Sequence, residues 1–243
     1  MKKLFAVVFL ILAASMFAAA DIYVKSQNHT DAMSIMGQNQ PAKDTISEQW
    51  IGDGRVAVIS PESTVIIDLK KNVMDIVNHK SKTYVEAALP LDFASLMPPQ
   101  MAQMMQGMMK MTVTVSPTGQ KKTFGEWNCD EYDVAMNMMM MPMKLKVYAT
   151  TKVPFDLKDY QEKIQTNMLK SQMRLDDASV AEMSKIKGFW ISSETSGEMM
   201  GAKIRSTMQV VEITKKDAPA AAYSVPEGYK KQDKFSMQDM QNR

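Results

Sequence analysis

Met136, Met138, Met140 and Met143 set four thioethers two, two and three residues apart, a donor type that suits soft ions such as Cu(I). A second group, Met101, Met104, Met105 and Met108, recurs at i, i+3, i+4 and i+7, the spacing of one helical face. Thirteen of the 26 methionines fall between Met97 and Met143, so the element positions of this stretch decide what the set can do. Methionine is unbranched, flexible and polarisable, and a surface built from it remoulds around greasy partners that Val and Ile would reject. Three readings stay open. In one, the helical stripe is a lid and Met97, Met111, Met136, Met138 and Met143 line an adaptable apolar cavity for an acyl chain. In the second, Met136, Met138, Met140 and Met143 bind Cu(I), although no histidine is interleaved with them. The third is a solid methionine core in a structural envelope protein that binds neither.

Catalytic groupings have little support. His29 and His79 stand 50 positions apart with no HxxH, HExxH, GxSxG, P-loop or GxGxxG pattern around them. Each reads as a strand or turn residue. Asp176-Asp177 reads as a helix cap, because no array of oxygen ligands follows it. The expectation is a non-enzymatic protein without a cofactor.

The elements follow from hydrophobic period. Ile46 to Ile51, Arg55 to Ile59, Thr64 to Leu69, Val73 to Val77 and Lys82 to Ala87 are short β-rich runs, punctuated by Asp53-Gly54, Ser60-Pro61 and Lys70-Lys71-Asn72. Links this short allow only antiparallel neighbours. Within the stretch Asp92 to Met109 a helix is expected to start at Pro98-Pro99 and to carry the Met101 to Met108 stripe. The period then becomes two through Met111, Val113 and Val115 before a turn at Pro117-Thr118-Gly119. Further strands are expected at Lys122 to Trp127, Glu131 to Met138 and beyond Pro142, with Met139 to Pro142 as a hairpin tip or bulge. Asp156 caps a helix whose apolar stripe is Leu157, Tyr160, Ile164, Met168 and Leu175. A second helix runs from Asp177 to Lys187 and ends at Gly188; Phe189 to Ser196 and Lys203 to Ile213 form a hairpin. Val225 to Tyr229 makes a last edge contact. Roughly ten strands with two helical insertions predict a mainly β (α+β) fold: one strongly curved antiparallel sheet, an unclosed β-barrel, with helices covering its concave face.

Composition sets the compartment. Met1-Lys2-Lys3, an apolar run from Leu4 to Phe17 and Ala18-Ala19-Ala20 form the three-part pattern of a secretory signal, with cleavage expected after Ala20. That run is too short to span a bilayer. Its removal leaves 27 basic against 27 acidic residues, a balance that favours no nucleic-acid partner. Cys129 is the sole cysteine, so it has no intramolecular partner and reads as a buried small hydrophobe. The expected organisation is a signal at 1–20, a single domain at 21–229 and a flexible polar tail at 230–243.

At Ile35-Met36-Gly37-Gln38, Glu48-Gln49-Trp50-Ile51-Gly52, Gly125-Glu126-Trp127-Asn128-Cys129, the Met139 to Met143 run and Val225-Pro226-Glu227-Gly228-Tyr229, the chain resembles an uncharacterised bacterial exported family carrying a domain of unknown function. That family is similar to the outer-membrane lipoprotein carriers LolA and LolB. The resemblance implies an unclosed β-barrel whose helix-covered concave face accommodates lipoprotein acyl chains. No site residue follows from it. The resulting expectation is a periplasmic carrier of lipid or lipoprotein acyl chains, not transmembrane, with a possible protein partner in the envelope.

Overall fold

The computed structural model describes residues 20–35, 38–97, 111–138, 141–172, 175–199 and 202–235. The signal segment before Ala20, the Met101 to Met108 stripe and Met140 lie outside these residues, as do the side chains of Met111 and Met138. Tight turns join the first strands. Gly54 at φ 72° serves the turn between β4 (Lys43–Gly52) and β5 (Arg55–Ile59), and Asn72 at φ 56° the one between β6 (Ser63–Asp68) and β7 (Val73–Asn78). With β8 (Thr83–Ala88), these strands form the expected meander. β1 (Ile22–Thr30) pairs with β4 on one side and with β13 (Ala202–Lys215) on the other. Beyond β13 come β12 (Phe189–Met199), β11 (Met141–Thr150), β10 (Trp127–Met138) and β9 (Met111–Phe124).

Among the described residues twelve strands thus share one sheet, with β9 at one edge and β14 (Lys230–Gln232) at the other. The two edges are not paired with each other, so the sheet is unclosed. Among the described residues every pairing is antiparallel except that of β14 with β8. The short strands β2 (Met33–Ile35) and β3 (Gln38–Gln40) pair separately.

Two expected boundaries move. Pro117-Thr118-Gly119 is no turn: β9 runs through it, and the register slips between Asp130 and Tyr132 of the opposing strand. Proline is tolerated there because β9 is an edge and needs no donor on its outer side. The hairpin turn is Gly125-Glu126, so Trp127 opens β10 instead of closing a strand. At the C-terminus, Val225 and Tyr229 pack on a sheet face, and Lys230–Gln232 makes the edge contact. Phe235 is buried and its N–H donates to the Leu96 carbonyl at 2.8 Å. The first six residues of the expected tail therefore belong to the fold.

Helices cover one face of the sheet. Asp156 accepts from the Asp159 N–H at 3.0 Å and starts α2 (Leu157–Tyr160), after the short α1 (Phe93–Leu96). A π-helical turn, Gln161–Gln165, then leads into α3 (Thr166–Gln172). Asp176 caps α4 (Asp177–Met183), which ends before the expected Lys187. Gly188, at φ 123°, lies so close to Thr150 that a Cβ would sit 2.5 Å from its carbonyl oxygen. Beneath these helices, one core cluster joins Ile164 to Val24, Ile51 and Val210, and a second joins Leu175, Val180 and Met183 to Val113, Val134 and Val147. The opposite face carries Tyr23, Trp50 and Ile66, covered by Ala218, Ala222, Tyr223 and Tyr229. Among the described residues no helix is long and apolar enough to cross a membrane.

Candidate functional site

Strand alternation sends Ile22, Val24 and Ser26 of β1 to the helix-covered face. Antiparallel register lays Gln49 and Ile51 of β4 beside them, with Val210 of β13 opposite Ser26. Above this strip, helical spacing turns Tyr160, Ile164 and Met168 toward the sheet, while Lys158, Glu162, Lys163 and Lys170 face water as expected. The π turn brings Gln165 to the same side as the buried Ile164. Packing is incomplete at both ends of the strip.

One opening is an apolar cleft of about 250 Å³ between Val24, Ser26, Gln49, Met208 and Val210 of the sheet and Tyr160, Gln165, Met168 and Leu169 of the helices, with Phe189 and Trp190 also in its lining. None of these side chains is charged. The polar groups available to an occupant are the Ser26 hydroxyl, the two glutamine amides and the Tyr160 phenol. Burial pushes the Tyr160 phenol well above its usual pKa, so it remains a neutral hydroxyl. The Trp190 Nε1–H is buried and has no hydrogen-bond partner among the described residues.

The other opening is a larger cleft of about 720 Å³ at the start of α2. Ile22 and Ile51 of the sheet with Phe155, Tyr160 and Ile164 above them give it an apolar lining, and Asp21, Asp53, Arg55, Asp156, Asp159, Lys163, Lys215 and Asp217 also border it. Tyr160 borders both clefts. It stacks edge-on with Phe155 and Phe189 at centroid distances of 5.7 and 5.4 Å, and those two phenylalanines are 5.4 Å apart. An aromatic trio thus separates an uncharged space from a charged one.

The methionines chosen from spacing lie elsewhere. Met136 of β10 and Met143 of β11 are direct cross-strand partners, and both are half-buried: Met136 packs on the cluster that holds Val113 and Val134, and Met143 lies beside Gly197 of β12. Met97 is half-buried against the main core cluster. Neither cleft is lined by Met97, Met136 or Met143. The methionines that do line the apolar cleft are Met168, visible as part of a helical stripe, and Met208, an inward position of β13 flanked by polar residues.

The remaining chemical groups are tied up structurally. Cys129 is fully buried, its Sγ–H reaches the Trp127 carbonyl at 3.7 Å, and burial with the nearby Asp130 charge pushes the thiol up to about 11. It stays protonated and unreactive. His79 lies between Thr64 Oγ1 at 2.8 Å and the Tyr229 hydroxyl at 3.1 Å, bracing the face opposite the clefts. His29 bridges Asp44 and Asp31 at 2.7 and 3.1 Å on an exposed part of β1. Among the described residues, no group of three or more His, Cys, Asp or Glu side chains is arranged to hold a metal ion. No protein-family model matches the chain, and no curated protein matches it.

Proposed function

We propose that the protein is an exported, non-enzymatic binder or carrier of lipid or lipoprotein acyl chains, and that the cleft under α2 and α3 receives the chain. The observation carrying this reading is the uncharged lining of that cleft, which includes Met168 from the helices and Met208 from the sheet. Apolar walls with a few neutral polar groups suit an aliphatic occupant, and thioether side chains accommodate it without a fixed shape. Burying ten methylenes at ~0.8 kcal/mol each gives roughly 8 kcal/mol before association costs. Micromolar affinity is the upper bound, a strength that suits cargo which must be released. Export would follow from the Lys2 to Ala20 pattern, with processing leaving Asp21 first.

The test is uptake of a fluorescent twelve-carbon acyl probe by the processed protein. Met208→Trp fills the cleft and should abolish uptake, whereas Met208→Ala enlarges it and should retain or improve uptake. Equal uptake by all three proteins would exclude this cleft as the site. The paired Met136 and Met143 keep a thioether reading in play: stoichiometric copper in the purified protein, held against a Cu(I) chelator, would favour it.

A further inference from the structure

The two clefts are consecutive along β1. Ile22 borders the charged one, and Val24 and Ser26 border the apolar one. At about 3.4 Å per residue, the floor from Ile22 to Ser26 spans roughly 14 Å. β4 repeats the sequence with Ile51 and then Gln49, and β13 repeats it with Lys215 and then Val210 and Met208. Tyr160 lines both clefts, and its ring partners line one each, Phe189 the apolar cleft and Phe155 the charged one.

Most charges around the larger cleft already have partners. Asp53 accepts from Lys70 at 2.6 Å, Lys163 pairs with Asp159 at 2.5 Å, and Asp156 caps α2. Asp21 accepts from the Ala218 N–H at 3.3 Å, and the Arg55 guanidinium lies 4.1 Å above the Tyr223 ring. Two charges of opposite sign remain. Within the described residues Lys215 and Asp217 form no ion pair, yet both are exposed and border the cleft. Lys215 is the cross-strand partner of Ile22, which places it over the same face as the apolar floor.

We infer that the paired clefts form one bipartite site for a single-chain zwitterionic lipid. Its chain occupies the uncharged space past Tyr160, its phosphate meets Lys215 and its ammonium meets Asp217. This inference rests on the acyl-chain reading above and adds the headgroup class. A free fatty acid satisfies Lys215 alone and leaves Asp217 facing a like charge. An uncharged monoacylglycerol satisfies neither.

The test is calorimetric titration of the processed protein, below the micellar threshold, with lysophosphatidylethanolamine, with a monoacylglycerol of the same chain and with glycerophosphoethanolamine. The lysophospholipid should bind about tenfold more tightly than the monoacylglycerol, as expected for hydrogen bonds to charged groups. The headgroup alone should not bind. Exchanging the charges by Lys215→Asp with Asp217→Lys should erase the preference if fixed local positions define it; both residues are exposed, and circular dichroism checks the fold. Equal affinity for the two lipids, or a preference that survives removal of both charges in Lys215→Ala with Asp217→Ala, would overturn the headgroup assignment and leave chain binding intact. Binding of neither lipid would overturn the acyl-chain reading and this inference together.

Discussion

At the scale of single residues, the sheet contains a carboxylate that works against it. Asp75 of β7 stands opposite Glu86 of β8, and its Oδ1 is buried with no hydrogen-bond partner among the described residues. Burial, reinforced by the Glu86 charge, raises its pKa. The folded state therefore holds the Asp75 proton more tightly than the unfolded chain does. Its effect on stability is unfavourable at neutral pH and disappears as pH falls through the folded value toward the unfolded one, near ~4. Asp75→Asn should raise the thermal midpoint at pH 7, with the difference from the parent narrowing toward pH 4. Melting curves across that range check it, and an asparagine variant that melts lower at pH 7 would show that the charge is useful. Nothing in the alternation of Val73 to Val77 marks this cost, because a period of two assigns a face without reporting its polar partners. Asp156 and Asp176 were legible in contrast, since an N-cap acts within three residues of itself.

At the scale of elements, the meander was readable from its turns, and the two main helical stretches from their caps and stripes. The exposed edge was harder to read. A proline and a glycine within β9 imitate a turn, and only the place of β9 at the edge explains why the strand continues. One reinforcement there depends on tertiary structure alone: the Val115 N–H donates to Glu182 Oε2 of α4 at 2.8 Å, while Lys185 holds the other oxygen at 2.5 Å. The Lys185 ammonium, and then the Val115 N–H, keep the Glu182 carboxyl below its usual pKa. Its contribution is accordingly present above the unfolded carboxylate value and lost as pH falls through the lower folded value. Glu182→Ala should accelerate hydrogen exchange at the Val115 amide at pH 7, with a smaller change at the central strands. Unchanged exchange at Val115 would show that α4 does not protect this edge. The apolar cleft was invisible for a related reason. Met208, Gln49 and Met168 come from three distant segments, and pairing register together with a π turn brings them to one space.

At the scale of the whole molecule, the C-terminal segment links both faces of the sheet. After β13 it crosses the face opposite the helices, where Ala222, Tyr223 and Tyr229 cover Tyr23, Trp50 and Ile66. It then adds β14 to the edge of β8, with Lys231 paired to Glu86 at 2.9 Å, and places Phe235 in the helix-side cluster with Leu91 and Leu96. The polar composition from Lys230 onward hid this course: one aromatic residue among lysines, glutamines and aspartates reads as a tail until its burial is known. Phe235 is 5% exposed, so truncating it removes both buried area and the plug beside Leu96. Phe235→Ala should cost about 3–5 kcal/mol, the range for a buried aromatic truncated in a core. Deleting everything after Tyr229 should cost at least as much and also uncover the β8 edge, promoting association between copies. Urea denaturation measures the first effect and light scattering the second. A Phe235→Ala midpoint close to that of the parent would mean that the wrap around the edge is dispensable, and that the opposite-face strap alone secures the C-terminal segment.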